Sequence, residues 1–133
     1  MDLVQLFGLP ANVFEDNKTT LSIINDGVSR DVIKQVLLNF PEYRNAIATI
    51  LNMQERELLS IEENGYASLC QSEAILDFIK LMAVANESFN SMGELKAWFN
   101  TKRPALNNDT ANSLLTSYVG RNMIINELKR TQT

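Results

Sequence analysis

The chain has 133 residues, 45% of them hydrophobic and 21% charged, with a formal net charge of −4. That length permits one compact domain, or two small ones sharing a core, and the composition is that of a globular chain rather than a disordered one. An acidic chain lacks the clustered Lys and Arg that phosphate neutralisation needs, so DNA binding requires a local basic patch or the help of a partner. There is no histidine and a single cysteine, Cys70. This rules out an internal disulfide, fits a reducing cytoplasm, and leaves no nucleophile–base pair, cofactor motif or metal-ligand spacing, so no catalysis is expected. Cys70 itself reads as a small buried apolar residue. The opening MDLVQLFGLP carries Asp2 in place of a basic n-region, which argues against a signal peptide, and no apolar run approaches the roughly 20 residues of a membrane span.

Helical periodicity dominates, and the expected fold is all-α. Residues 1–17 hold Leu3, Val4, Leu6, Phe7 and Leu9, broken by Gly8 and Pro10, and read as a loosely structured arm with one helical turn. A short helix is predicted over Thr19–Asp26, stopped by Gly27. Ser29 is placed to cap a helix through Leu38 with Val32, Ile33, Val36 and Leu37 inside. Pro41 suits the first position of the next helix, where its missing N–H costs nothing; that helix carries Ala46, Ile47, Ile50 and Leu51. Asn52 tolerates a left-handed turn, and another helix is expected from Gln54 to before Gly65. The longest helix is predicted over Ser72–Phe89, with Ile75, Phe78, Ile79, Met82, Ala85 and Phe89 along one stripe. Ser91 and Glu94 form a capping box for a short helix through Leu95, Trp98 and Phe99. A loop follows over 101–108, then a short helix capped by Asp109, and a last helix after Gly120 through Met123, Ile124 and Leu128. The expected domain limits are an arm over 1–17, a helix-turn-helix part over 18–70 and a C-terminal part over 71–133.

Residues 44–63 fit a helix-turn-helix: Ala48 is small where the helices cross, Asn52 supplies a positive φ four positions on, and Ile47, Leu51, Met53, Leu58 and Ile61 lock the pair. A plain helical hairpin gives a similar pattern. If the second helix reads DNA, Gln54 suits adenine and Arg56 guanine, with Ser60 and Arg44 beside them. Over 41–65, however, two arginines face five glutamates, a net of −3. A solvated acidic face is the competing reading.

The stretch from Trp98 to Gly120, WFNTKRPALNNDTANSLLTSYVG, is the most specific in the chain. Trp98-Phe99 closes a helix, Ala105-Leu106 sits in the following loop, Leu114-Leu115 forms a pair, and Gly120 precedes the last helical segment. This order, with Gly27-Val28-Ser29 upstream, resembles the Xre/MbcA/ParS-type antitoxin family over roughly Gly27–Arg130. Lys102-Arg103 stand where the family has Pro-Asn, Asn108 stands for a glycine, and Ala111 for a helix-starting proline. The resemblance implies a C-terminal toxin-binding domain, a homodimer, and a protein partner of the RES type that consumes NAD or ADP-ribosylates a target. It also implies inhibition by covering the toxin's active site, with repression of the operon as a second activity. Arg121, Asn122, Asn126, Lys129 and Arg130 are then the expected toxin-facing residues; the competing reading takes them as frayed terminal charges. A freestanding helix-turn-helix regulator is the alternative function.

Overall fold

A computed structural model describes residues 2–58 and 65–131. The fold is mostly helical, and among the described residues there is no strand, only isolated bridges at Ser29–Tyr66 and Arg103–Asp109. The helices are α1 (Leu3–Leu6), α2 (Asn17–Asp26), α3 (Arg30–Asn39), α4 (Arg44–Ile50), α5 (Glu55–Leu58), α6 (Leu69–Ser88), α7 (Met92–Phe99) and α8 (Tyr118–Thr131). Single 3-10 turns occur at Pro41–Tyr43, Pro104–Leu106 and Ala111–Leu114. The chain divides into two compact units, Met1–Ile79 and Lys80–Thr133, and the division falls inside α6. No described helix is long and apolar enough to cross a membrane.

In the N-terminal unit, the opening residues are not a loose arm. Asp2 caps α1 by accepting from the Val4 and Gln5 N–H groups, and Gly8 at φ +79° turns the chain back. Leu3, Val4, Phe7 and Val13 are buried as a result, with the Phe7 ring 6.4 Å from Phe40. Phe40 also stacks on Tyr43 and meets Phe78 edge-on at 6.1 Å, so aromatic side chains from three separate segments converge. Asp16 caps α2, and Gly27 ends it at φ +88°. Gly27 is required twice over: a Cβ there would also lie 2.8 Å from the Ala67 carbonyl.

That close approach lets residues 65–67 pair with 28–30. Arg30 N–H donates to the Gly65 carbonyl at 2.8 Å, and Ala67 N–H to the Val28 carbonyl at 2.7 Å. Buried Ser72 completes the junction, accepting from Val28 N–H at 2.8 Å. Ser29 caps α3 as its sequence predicts, accepting from Asp31 N–H. Pro41 opens a 3-10 turn that runs directly into α4.

The C-terminal unit shows the same logic of caps and plugs. Ser91 caps α7 by accepting from Glu94 N–H, while the Glu94 carboxylate accepts from Asn90 N–H, one residue before the usual partner. Thr110, not Asp109, caps the Ala111–Leu114 turn; the Asp109 backbone is engaged with Arg103. The last helix begins earlier than its glycine suggests. Ser117 accepts from Gly120 N–H at 2.9 Å and its carbonyl receives Arg121 N–H, so α8 starts at Tyr118 with Gly120 in its first turn. Gly120 does not supply a bend. Its missing side chain makes room for the Leu114 carbonyl, which would lie 2.2 Å from a Cβ.

Along α6, Ile75, Phe78, Ile79, Met82 and Ala85 are buried as the periodicity predicts, while Phe89 lies just past its end and is half-buried. Leu76 and Leu81 are buried too, so the helix is enclosed on more than one side. α6 also starts at Leu69, earlier than Ser72, and its first turn faces outward. Cys70 is therefore exposed, contrary to the expectation of a buried thiol.

Candidate partner-binding face

The loop after α7 is held by an aromatic platform. Trp98 is buried, with Phe89 and Phe99 at 6.0 and 5.5 Å between ring centroids. The Arg103 guanidinium lies 4.1 Å over the indole ring, a cation–π contact that fastens the loop to it. From there the backbone closes on itself: Arg103 N–H donates to the Asp109 carbonyl, Asn108 N–H returns to the Arg103 carbonyl, and Asp109 N–H reaches Leu106. Asn107 and Asn108 both take positive φ, 59° and 63°, which makes two consecutive left-handed residues without a glycine. Leu106 is driven fully into the core, whereas Ala105 points outward. Leu114 is half-buried and Leu115 fully buried.

On α8 the expected toxin-facing residues separate. Arg121, Ile124, Ile125 and Leu128 recur at i, i+3, i+4, i+7 and are all buried. Arg121 is thus an internal residue, and its guanidinium donates to the Leu115 carbonyl at 2.8 Å. Asn122, Asn126, Lys129 and Arg130 lie on the outer side and are exposed. Glu127 is buried and pairs with Arg130, whose Nε also donates to it at 3.4 Å; the Arg130 side chain remains 67% exposed. Burial pulls Arg103 below the ordinary arginine range; the Glu127 carboxylate opposes that shift and the Arg130 charge adds to it. The indole, the loop arginine and the end of α8 therefore form one electrostatic neighbourhood. An open groove of about 240 Å³ runs beside it, lined by Ala105, Met123, Asn126, Glu127 and Arg130.

Two residues that the sequence did not single out share this face: Tyr118 and Val119 are 65% and 68% exposed. Met123, expected inside the last helix, is instead half-buried on the groove wall. The signal was present in the spacing, but it becomes readable only when α8 is started at Tyr118.

In the N-terminal unit, α4 ends in a Schellman motif. Asn52 takes φ 55°, its N–H donates to the Thr49 carbonyl, and Met53 N–H donates to Ala48 at 2.9 Å. Gln54 N–H then donates to the Glu57 carboxylate as α5 begins. Ile47, Ala48, Leu51 and Leu58 are buried; Gln54 and Arg56 are exposed, and Arg44 is half-buried. Ser60, and with it Ile61, lies outside the described residues.

The units differ in charge. Met1–Ile79 contains five basic and twelve acidic residues, a net of −7, and Lys80–Thr133 seven and four, a net of +3. No family model matches the chain, and neither does any curated protein or solved structure.

Proposed function

We propose that this chain is a non-catalytic binding protein, an antitoxin that neutralises a RES-type toxin by laying the outer side of α8 across the toxin's active site. The observation that carries the reading is the single face on which α8 gathers exposed Asn122, Asn126, Lys129 and Arg130 beside a groove floored by Ala105. Arg121 leaves the set of contact residues, because its guanidinium is engaged inside the unit. The class of partner rests on the resemblance of Trp98–Gly120 to the Xre/MbcA/ParS-type antitoxins. In this reading Lys129 and Arg130 pair with carboxylates of the toxin cleft and exclude NAD. The chain is cytoplasmic and dimeric, and needs no metal or cofactor.

Operator binding is the second reading, favoured by the tight turn at Asn52 between two helices that bury Ala48. We read Arg44–Leu58 as the first part of a helix-turn-helix, with Gln54 and Arg56 available to bases. The net charge of −7 on the unit that holds it keeps DNA contact, and a freestanding regulator, in second place.

Co-expression with a RES-type toxin tests the first reading. Growth and cellular NAD are expected to be restored and the two chains to co-purify. Continued NAD loss in the presence of abundant, folded antitoxin would sink it.

A further inference from the structure

We propose that α8 docks by a two-part face: Tyr118 and Val119 as the apolar anchor, and Lys129 with Arg130 as the charged end, fitting a protein surface that has an apolar pocket flanked by carboxylates. The inference rests on the reading that this chain acts by binding a protein, and it holds whatever the identity of that protein.

The argument begins with helical geometry. At about 100° per residue, Tyr118, Asn122 and Lys129 fall in one row, and Val119, Asn126 and Arg130 in the next. The rows span about 18 Å of helix at 1.5 Å per residue, more than the two turns over which the anchors of a groove-bound helix recur. Every side chain in them is exposed. Tyr118 and Val119 are adjacent and 65% and 68% exposed, and tyrosine and arginine are among the residue types enriched at binding hot spots.

Charge selects the occupant. Among the charged residues of α8, Arg121 and Glu127 are buried, and Arg130 is ion-paired with Glu127 while its side chain stays 67% exposed, so the outer rows present the Lys129 charge beside a partly neutralised Arg130 and no exposed carboxylate. They belong to a unit of net +3 in a chain of net −4. Such a face attracts an acidic surface. Two cations over this length are too few to compete for nucleic-acid phosphates at physiological salt. The groove at Ala105 and Met123 has room for one partner side chain beside the helix.

The test uses the full chain. Affinity for a catalytically inactive RES-type toxin is measured for the wild type, for Tyr118→Ala with Val119→Ser, and for Lys129→Glu. The exposed positions leave folding intact, which a thermal melt checks. The double variant is expected to weaken binding on the order of 100-fold and Lys129→Glu by about tenfold, with the wild-type affinity falling as salt rises. Unchanged affinity in the folded double variant would overturn the docking face while leaving the antitoxin reading in place. If the wild type does not bind the toxin, the antitoxin reading fails, and backbone amide shifts are read with two substitute probes, a glutamate–leucine copolymer and a short DNA duplex. Shifts confined to 118–130 with the copolymer support the face. Shifts with the duplex alone, no shifts, or self-association of the chain that Tyr118→Ala abolishes would each overturn it.

Discussion

The unit ending at Ile79 and the unit beginning at Lys80 solve the same packing problem with different materials. The first closes around aromatic rings, Phe7, Phe40, Tyr43 and Phe78, and among its described residues no charged side chain is buried. The second builds on Trp98, sets a guanidinium on its ring, and brings a second arginine, Arg121, inside to hold a loop carbonyl. One core is almost wholly apolar; the other uses cations as structural parts. The lesson concerns averages. A net charge of −4 describes neither unit, because −7 and +3 have been summed. The whole-chain value therefore hides the basic excess of the C-terminal unit.

The largest expected effects compare the two cores directly. Phe78→Ala and Trp98→Ala each remove a buried ring and should each cost about 3–5 kcal/mol in denaturant unfolding. Only Trp98→Ala should also release Arg103 from its platform. A partner-affinity loss confined to Trp98→Ala, measured at a temperature where both variants remain folded, would sharpen the contrast; equal losses would erase it.

Gly120→Ala should cost about 3 kcal/mol, at the upper end for overpacking, since the obstructing atom is a backbone carbonyl rather than a movable side chain. Helix content regained at wild-type stability would show that α8 can shift its start.

Next come the single polar fastenings. Ser72→Ala leaves Val28 N–H buried without its acceptor and should cost about 1–3 kcal/mol. Arg121→Met orphans the Leu115 carbonyl and should cost a similar amount, about 1–3 kcal/mol. If the methionine variant proves more stable, the internal arginine is held for specificity rather than stability.

The smallest effect is a pH slope. Burial, and secondarily the Glu42 charge, push the Tyr43 phenol up to about 12 from its usual 10. The folded state therefore favours the neutral phenol. That contribution is fully present below pH 10 and is lost as pH rises toward 12. Unfolding midpoints measured across that window should fall less steeply for Tyr43→Phe than for the wild type; parallel curves would show that the ring is not sheltered.

Local signals were legible in the sequence. Ser29, Gly27, Asn52, Ser91 and Pro41 act where their neighbours say they should, because a cap or a left-handed turn is decided within a few residues. Burial of the Leu3–Phe7 cluster was not legible, since it depends on Phe40, far along the chain. The candidate face was half legible. Asn122, Asn126, Lys129 and Arg130 are exposed as expected, but taking Gly120 as the boundary hid Ser117 as the true cap. With α8 started at Tyr118, Arg121 falls on the stripe of Ile124, Ile125 and Leu128, and its burial follows from spacing alone.

The continuity of α6 through the Ile79–Lys80 division has a consequence for recombination. A crossover at that point would end one fragment at Phe78 and Ile79 and start the other beside Leu81 and Met82, each a severed helix end whose apolar side chains are wholly buried in the intact chain. Neither half is a cassette that can be exchanged freely, because a break at that point leaves each fragment with an uncovered apolar helix end.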